Sequence, residues 1–128
     1  MLSNESCFNA LEAFAKAFSK YLKVNGRRTY EIASITGQES VKVSIRALYR
    51  VHDPSYGFSR VYDVIMKLFE CDLIKSLSSL GINLKIIGNE VYMIIKLNKL
   101  KELVFMSEDE VKKKVTSIIK LSDESHAL

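Results

Sequence analysis

The stretch NLKIIGNEVYMIIKL, residues 83–97, has the pattern of a β-hairpin. Apolar and polar residues alternate on both sides of Gly88–Asn89, and a dipeptide of this kind is a two-residue turn signal. The predicted cross-strand pairs are Ile86–Val91 and Leu84–Met93 on one face, and Lys85–Tyr92 and Ile87–Glu90 on the other. One apolar face and one mixed face are typical of a half-buried two-stranded ribbon.

Helical periodicity dominates the chain outside this hairpin. An amphipathic stripe runs through residues 6–24, and Asn25–Gly26 is the predicted end of that helix. A C-terminal helix is predicted over residues 107–121, where a capping box begins at Ser107. Residues 96–105 are compatible with a strand end, a linker or a short helix.

Three shorter helices are predicted between the N-terminal helix and the hairpin. The first covers residues 29–35 and ends at a tight turn, Thr36–Gly37. The second covers residues 38–51, where apolar residues recur at helical spacing. After a loop at residues 52–58, the third covers residues 59–74 and leads towards the hairpin. The chain is therefore expected to be α+β and mostly helical.

Positive charge is concentrated in the first half of the chain. The 128 residues suit one domain and carry a formal net charge of +4. Residues 1–60 contain nine Lys/Arg and five Asp/Glu, whereas the remainder contains ten of each. All five arginines lie between Arg27 and Arg60. Arginine suits bidentate contacts to phosphate and guanine, although such charges are as often simply solvated.

Several classes of protein are not expected from the composition. No apolar run is long enough to span a bilayer, and the first residues lack the pattern of a signal peptide. We therefore expect a cytoplasmic protein without a membrane partner. Two cysteines are too few for a zinc site, and Cys71 is expected to be a buried free thiol. A disulfide to Cys7 is disfavoured in a reducing compartment.

Two motifs resemble those of winged helix-turn-helix proteins. EIASITGQESVKVSIRAL, residues 31–48, is similar to the generic bacterial and archaeal helix-turn-helix pattern. SRVYDVIMKLFECDLI, residues 59–74, resembles the reading helix of PadR-like and MarR-like regulators, in which a Lys-Leu pair lies upstream of Gly-Leu-Ile. Here the corresponding residues are Lys67–Leu68 and Asp72–Leu73–Ile74, so Asp72 replaces the glycine.

The resemblance implies a single winged-helix domain with its core at about residues 29–97. The hairpin would be its two-stranded wing, and the N-terminal and C-terminal helices would be additions. Two alternatives for the reading helix remain open, because the motifs place it at residues 38–51 or at residues 59–74. In winged folds the reading helix runs directly into the hairpin, and this favours the second.

The function implied is binding of double-stranded DNA, as a transcriptional regulator that acts as a homodimer. The candidate DNA-binding residues are Arg27, Arg28, Lys42, Arg46, Arg50, Ser59, Arg60, Tyr62, Lys67, Lys85 and Asn89. The candidate dimer interface consists of Phe8, Phe14, Phe18, Val115, Ile118 and Ile119, which are apolar residues of the two terminal helices. No cofactor or metal is expected.

Two alternatives belong to other classes. The same fold serves as a protein–protein adaptor, and acidic residues such as Glu39 and Asp63 near the expected DNA side favour that reading. The chain is also compatible with a small accessory subunit of a nucleic-acid-processing complex. Catalysis is not expected, because the sequence His52-Asp53-Pro54 is explained by turn chemistry.

Overall fold

The structure is a computed structural model that describes residues 4–119. It has a mostly helical α+β fold with one small antiparallel sheet. The helices are α1 (Asn4–Tyr21), α2 (Arg27–Ile35), α3 (Val61–Glu70), α4 (Ile74–Ser79), α5 (Leu97–Val104) and α6 (Glu108–Thr116). The strands are β1 (Ser40–Ser44), β2 (Ile82–Ile87) and β3 (Glu90–Lys96). Among the described residues, no helix is long and apolar enough to cross a membrane.

The N-terminal helix does not end at Asn25–Gly26, which corrects the sequence-based prediction. It passes through a π-helical turn, Leu22–Gly26, and continues directly into α2. Gly26 has an ordinary helical φ of −61°, so its conformation does not require glycine. A Cβ atom there would lie 3.1 Å from a methyl group of Val104, so the glycine lets α5 pack closely against the turn. Close packing, not helix termination, explains this residue.

The helix predicted at residues 38–51 is absent, and this prediction was wrong. Strand β1 occupies its first part, and a 3-10 helix, Ile45–Leu48, follows. The apolar spacing fits either structure, because Val41 and Val43 also alternate with polar residues at the period of a strand. Pairing with β3 adds interstrand hydrogen bonds that a helix could not make with this neighbour. Residues 38–51 therefore do not form the reading helix that one of the two alternatives placed there.

The hairpin has the predicted turn and register. Ile86 lies opposite Val91 and Leu84 opposite Met93 on the core-facing side of the sheet, where Leu84, Val91 and Met93 are buried and Ile86, next to the turn, is 54% exposed. Strand β1 then pairs with the other edge of β3, which gives the order β1-β3-β2. The predicted two-stranded ribbon is thus part of a three-stranded sheet.

The helix predicted at residues 59–74 is divided in two. Helix α3 ends at Glu70, and Asp72 adopts a left-handed conformation with φ of +58°. The N–H of Leu73 then donates to the carbonyl of Leu68 at 3.1 Å, in the pattern of a Schellman cap. Helix α4 follows and leads directly into β2. The segment nearest the hairpin is therefore the short α4 and not α3.

The terminal helices pack against each other within one chain. Helix α6 lies along α1, where the rings of Phe14 and Phe18 are stacked with centroids 5.5 Å apart. Four of the six residues expected at a dimer interface are buried in this core: Phe14, Phe18, Val115 and Ile118. Phe8 is exposed and Ile119 is partly buried. The apolar stripes of α1 and α6 thus cover each other, which corrects the expected interface.

A disulfide joins Cys7 in α1 to Cys71 at the end of α3. The expectation that Cys71 is a free thiol is therefore wrong. The two cysteines are 64 residues apart in sequence, and sequence distance alone says nothing of their proximity. Closing a loop of this length stabilises the folded chain by about 4 kcal/mol in the chain-entropy account.

The C-terminal part of the chain follows its local signals. Residues 97–104, for which the sequence left three readings open, form helix α5. The capping box at α6 is present, since Ser107 and Glu110 each accept a hydrogen bond from the backbone N–H of the other. Helix α6 ends at Thr116, and the predicted extension to residue 121 reaches beyond the described residues.

Candidate nucleic-acid interface

In the segment after β1, two side chains with polar groups point to solvent on either side of the buried Leu48. The Ser44 hydroxyl accepts a hydrogen bond from the backbone N–H of Arg46 at 3.2 Å and so begins the 3-10 helix. Leu48 is fully buried, whereas Arg46 and Tyr49 are exposed. The local turn therefore presents a guanidinium and a phenol ring on the surface beside the sheet.

Hydrogen bonds near both ends hold the loop that follows, residues 52–58. The Nε2 atom of His52 lies 2.7 Å from the carbonyl oxygen of Phe58. Because a carbonyl can only accept, Nε2 carries a proton and donates this hydrogen bond. The Asp53 carboxylate accepts from the backbone N–H of Ser55 at 2.9 Å, which is the turn chemistry predicted for this sequence.

An ion pair fastens the same loop to the N-terminal helix. The Lys16 ammonium lies 2.5 Å from a carboxylate oxygen of Asp53, and both side chains are mostly covered. Hydrogen bonds from Lys16 and then from Ser55 hold the pKa of Asp53 well below its usual range. The same pair raises the pKa of Lys16, chiefly through its hydrogen bond to Asp53. Asp53 therefore holds the loop in its ionised form.

The start of α3 lies beside this loop and completes a cavity of about 480 Å³. The Arg60 guanidinium lies 6.0 Å from the centroid of the Tyr62 ring and donates two hydrogen bonds to Asp63. These bonds raise the pKa of Arg60, so its charge is secure. The cavity is lined by Tyr49, His52, Ser59, Arg60, Val61 and Tyr62.

A smaller cavity connects this site to the tip of the hairpin. Tyr49 and Tyr62 line both cavities, and the second also touches Arg46, Asn89 and Glu90. Arg46 forms an ion pair with Glu90, the first residue of β3. We call the two cavities together the tyrosine groove, since these two rings are common to both.

The solvent-facing side of the sheet adjoins the groove and carries a third tyrosine. Tyr92 lies on the central strand, opposite Ser44 of β1 and Lys85 of β2. The Lys42 ammonium lies 4.6 Å from the centroid of the Tyr92 ring. We call this side, defined by Lys42, Lys85 and Tyr92, the outer sheet face. Like the groove, it combines cations with an aromatic ring.

The structure brings together most of the predicted DNA-binding residues. Seven lie in the tyrosine groove or on the outer sheet face: Lys42, Arg46, Ser59, Arg60, Tyr62, Lys85 and Asn89. Arg50 is exposed and follows Tyr49 in the chain. Sequence reasoning missed Tyr49, His52 and Tyr92 as site residues. The predicted pairing of Lys85 with Tyr92 was a signal that could have identified Tyr92.

The remaining three candidates lie elsewhere. Arg27 and Arg28 line a separate open cleft between the π-helical turn and α6, and Arg27 lies 5.2 Å from the centroid of the Phe105 ring. Acidic residues of α6 share that cleft, so its charge is mixed. Lys67 lies in the last turn of α3 and pairs with Glu70 at 3.3 Å. These three do not extend the surface at the hairpin tip.

Comparison with known proteins identified no relative of this chain. No protein-family model, curated protein or solved structure matches the chain. Within residues 4–119, no three His, Cys, Asp or Glu side chains are grouped so as to hold a metal ion. The functional argument therefore rests on the groove and the outer sheet face themselves.

Proposed function

We propose that this chain is a winged-helix protein that binds double-stranded DNA and acts as a transcriptional regulator. Helix α4 leads directly into the β2–β3 hairpin, as the reading helix of a winged fold leads into its wing. Asn89 at the hairpin tip lies beside the tyrosine groove, so the wing and the start of α3 share one surface. That surface would face the DNA.

Four exposed cations along the tyrosine groove and the outer sheet face are the observation that carries this proposal. Arg46 and Arg60 line the groove, with side chains exposed at 67% and 71% of their full area, and the exposed Lys42 and Lys85 lie beside Tyr92 on the sheet. The acids on this surface, Glu90 and Asp63, each pair with one of the arginines. Phosphate oxygens accept hydrogen bonds from the same N–H groups, and each phosphate of the backbone carries one negative charge, so a DNA backbone suits these side chains.

Backbone contacts are expected to contribute more than base reading. The exposed side chains of α4 are Lys75, Ser78 and Ser79, which provide one cation and two hydroxyls. Such a short helix offers few groups to base edges, whereas the cations of the tyrosine groove and the outer sheet face can contact phosphates irrespective of sequence. We therefore expect binding to random-sequence duplex DNA that weakens steeply as salt is added.

The test is a salt titration of binding to random-sequence duplex DNA, followed by fluorescence anisotropy. Arg46→Ala and Arg60→Ala are each expected to reduce the slope of log affinity against log salt by about one, because each removes a phosphate contact. Lys101→Ala is the matched control, since Lys101 is an exposed cation on α5 outside the groove. Absence of binding at about 50 mM salt would contradict the proposal.

A protein–protein adaptor is the second candidate, and exposed apolar side chains favour it. Ile32 and Ile35 on α2 are exposed, as are Ile86 and Ile87 near the hairpin tip. Large exposed apolar side chains in groups are typical of protein contacts. An adaptor predicts weak binding to DNA that Arg60→Ala leaves unchanged. The salt titration therefore separates the two candidates.

Homodimer formation remains a prediction that needs its own measurement. Because α1 and α6 cover each other within one chain, a dimer would have to use other residues. Light scattering at tens of micromolar protein is expected to give twice the mass of the chain. A monomeric mass would remove the two-fold arrangement from the proposal and leave DNA binding by a single domain.

A further inference from the structure

We propose that the tyrosine groove binds an unpaired nucleobase, so that the preferred partner is duplex DNA with an adjoining single strand. The inference rests on the proposed function, because it requires that this face of the molecule binds DNA. It adds the chemical class that the groove accepts. Paired DNA and unpaired DNA present different groups to a protein, and the groove contains groups that only the second can fully use.

The exposed rings of Tyr49 and Tyr62 are the first reason. They are 54% and 44% exposed, and both line the 480 Å³ cavity. A phosphate backbone has no flat apolar surface to cover these rings. Within a duplex, each base face is already stacked on its neighbour. An unpaired base has a free π-face, and stacking on tyrosine is a common way to bind it.

The polar groups of the cavity match the edge of a base. The Ser59 hydroxyl both donates and accepts, and the His52 ring, whose Nε2 atom donates to the carbonyl of Phe58, is a second polar group in the lining. A nucleobase edge also carries donors and acceptors, whereas a purely apolar ligand would leave these groups without partners. Arg60 beside Tyr62 is suited to the phosphate attached to the same nucleotide.

The neighbouring surface provides a path for the rest of the strand. Beyond Tyr49 and Tyr62 the groove reaches Arg46, and β1 then places Ser44 opposite Tyr92. Tyr92 in turn is flanked by lysines on the outer sheet face. Rings and cations therefore follow one another along a continuous surface. This combination of stacking platforms with backbone charges is typical of single-strand binding.

The test compares three DNAs that share one duplex. The first is blunt, the second has a single-stranded overhang of about eight nucleotides, and the third has an abasic overhang of the same length. The two overhangs carry the same charge and differ in their bases. We expect the base-containing overhang to bind about tenfold more tightly than the abasic one, because only it can stack.

Substitutions then assign the difference to the groove. Tyr62→Leu and Tyr49→Leu are each expected to remove most of this preference, whereas Tyr62→Phe keeps the ring and retains it. Phe105→Leu is the matched control, since Phe105 is also an exposed ring beside an arginine but lies outside the groove. Far-ultraviolet circular dichroism of each variant checks that it is folded.

The outcomes separate this inference from the proposed function. Equal affinity for the base-containing and abasic overhangs, with the blunt duplex still bound, would overturn the inference and leave DNA binding intact. Absence of binding to all three DNAs would overturn both. A base preference that survives Tyr49→Leu and Tyr62→Leu would also overturn the inference, because the bases would then be bound elsewhere.

Discussion

At the scale of single residues, Asp72 adopts a backbone conformation that favours glycine. Its φ is +58°, and the PadR-like and MarR-like motif that residues 59–74 resemble has glycine at this place. A left-handed conformation is costly for residues with a Cβ atom, and less so for Asp and Asn. The substitution is therefore compatible with the same helix end, although the sequence pattern alone could not show this.

Asp72→Ala is expected to be less stable than Asp72→Gly by about 1 kcal/mol. Alanine has the steric cost of a left-handed residue without the local hydrogen bonding that a carboxylate offers. Urea unfolding of the two variants measures the difference, and each serves as the control for the other. An alanine variant as stable as the glycine variant would show that the end of α3 does not need this conformation.

At the scale of elements, local sequence signals predicted the elements that depend on neighbouring residues. Elements that depend on long-range contacts differ from the prediction. The hairpin and the capping box of α6 depend on residues close in sequence, and both were predicted correctly. Strand β1 depends on β3, which follows about 50 residues later in the chain, as Val41 and Ile95 show. The apolar pattern of residues 38–51 fits a helix as well as a strand, so sequence alone could not decide.

The candidate site divides in the same way. Its cations were predicted, because clustered arginines are visible in the sequence. Of its tyrosines, Tyr62 was among the predicted residues, whereas Tyr49 was missed because the two rings lie together only through the loop at residues 52–58 and the start of α3. The disulfide was missed for a related reason. The expectation of free cysteines was based on a reducing compartment, because the sequence does not show that Cys7 and Cys71 are in contact.

Reduction of the disulfide is expected to lower the free energy of unfolding by about 4 kcal/mol at most. Cys7 and Cys71 hold α1 against the end of α3, and the bond restricts the unfolded chain. Urea unfolding with and without a reductant measures the effect. The double variant Cys7→Ser/Cys71→Ser is the control and is expected not to respond to the reductant. An unchanged midpoint for the wild type would contradict this prediction.

The loop at residues 52–58 is expected to be sensitive to acid through Asp53. Its pKa is lowered in the folded state, so its contribution to stability is present above the unfolded pKa of about 3.9. The contribution is lost as the pH falls below that value towards the lower folded pKa. Lys16 has a raised pKa, so its contribution persists until the pH exceeds its ordinary value of 10.5.

Asp53→Asn is the variant that tests this. Its free energy of unfolding is expected to fall less than that of the wild type between about pH 5 and about pH 3, because one favourable ionisation has been removed. Denaturant unfolding across that range supplies the comparison. Asp109→Asn, at an exposed acid of α6, is the control and should follow the wild type. Parallel curves for Asp53→Asn and the wild type would contradict the account.

At the scale of the whole molecule, two surfaces carry exposed arginine. One is the tyrosine groove with the outer sheet face, where cations accompany Tyr49, Tyr62 and Tyr92. The other is the cleft beside α6, where Arg27 and Arg28 face acidic residues. The first surface also holds Glu90 and Asp63, each paired with one arginine, but it adds Lys42 and Lys85 beside Tyr92, and this larger group of cations attracts a polyanion. The account therefore assigns DNA to the hairpin end of the molecule.

The most direct measurement is a titration of isotopically labelled protein with the overhang duplex, followed by amide chemical shifts in nuclear magnetic resonance. The account predicts that the largest changes fall in residues 42–62 and 85–92, which contain the tyrosine groove and the outer sheet face. Changes centred instead on Arg27, Arg28 and the start of α6, with the hairpin end unaffected, would contradict it.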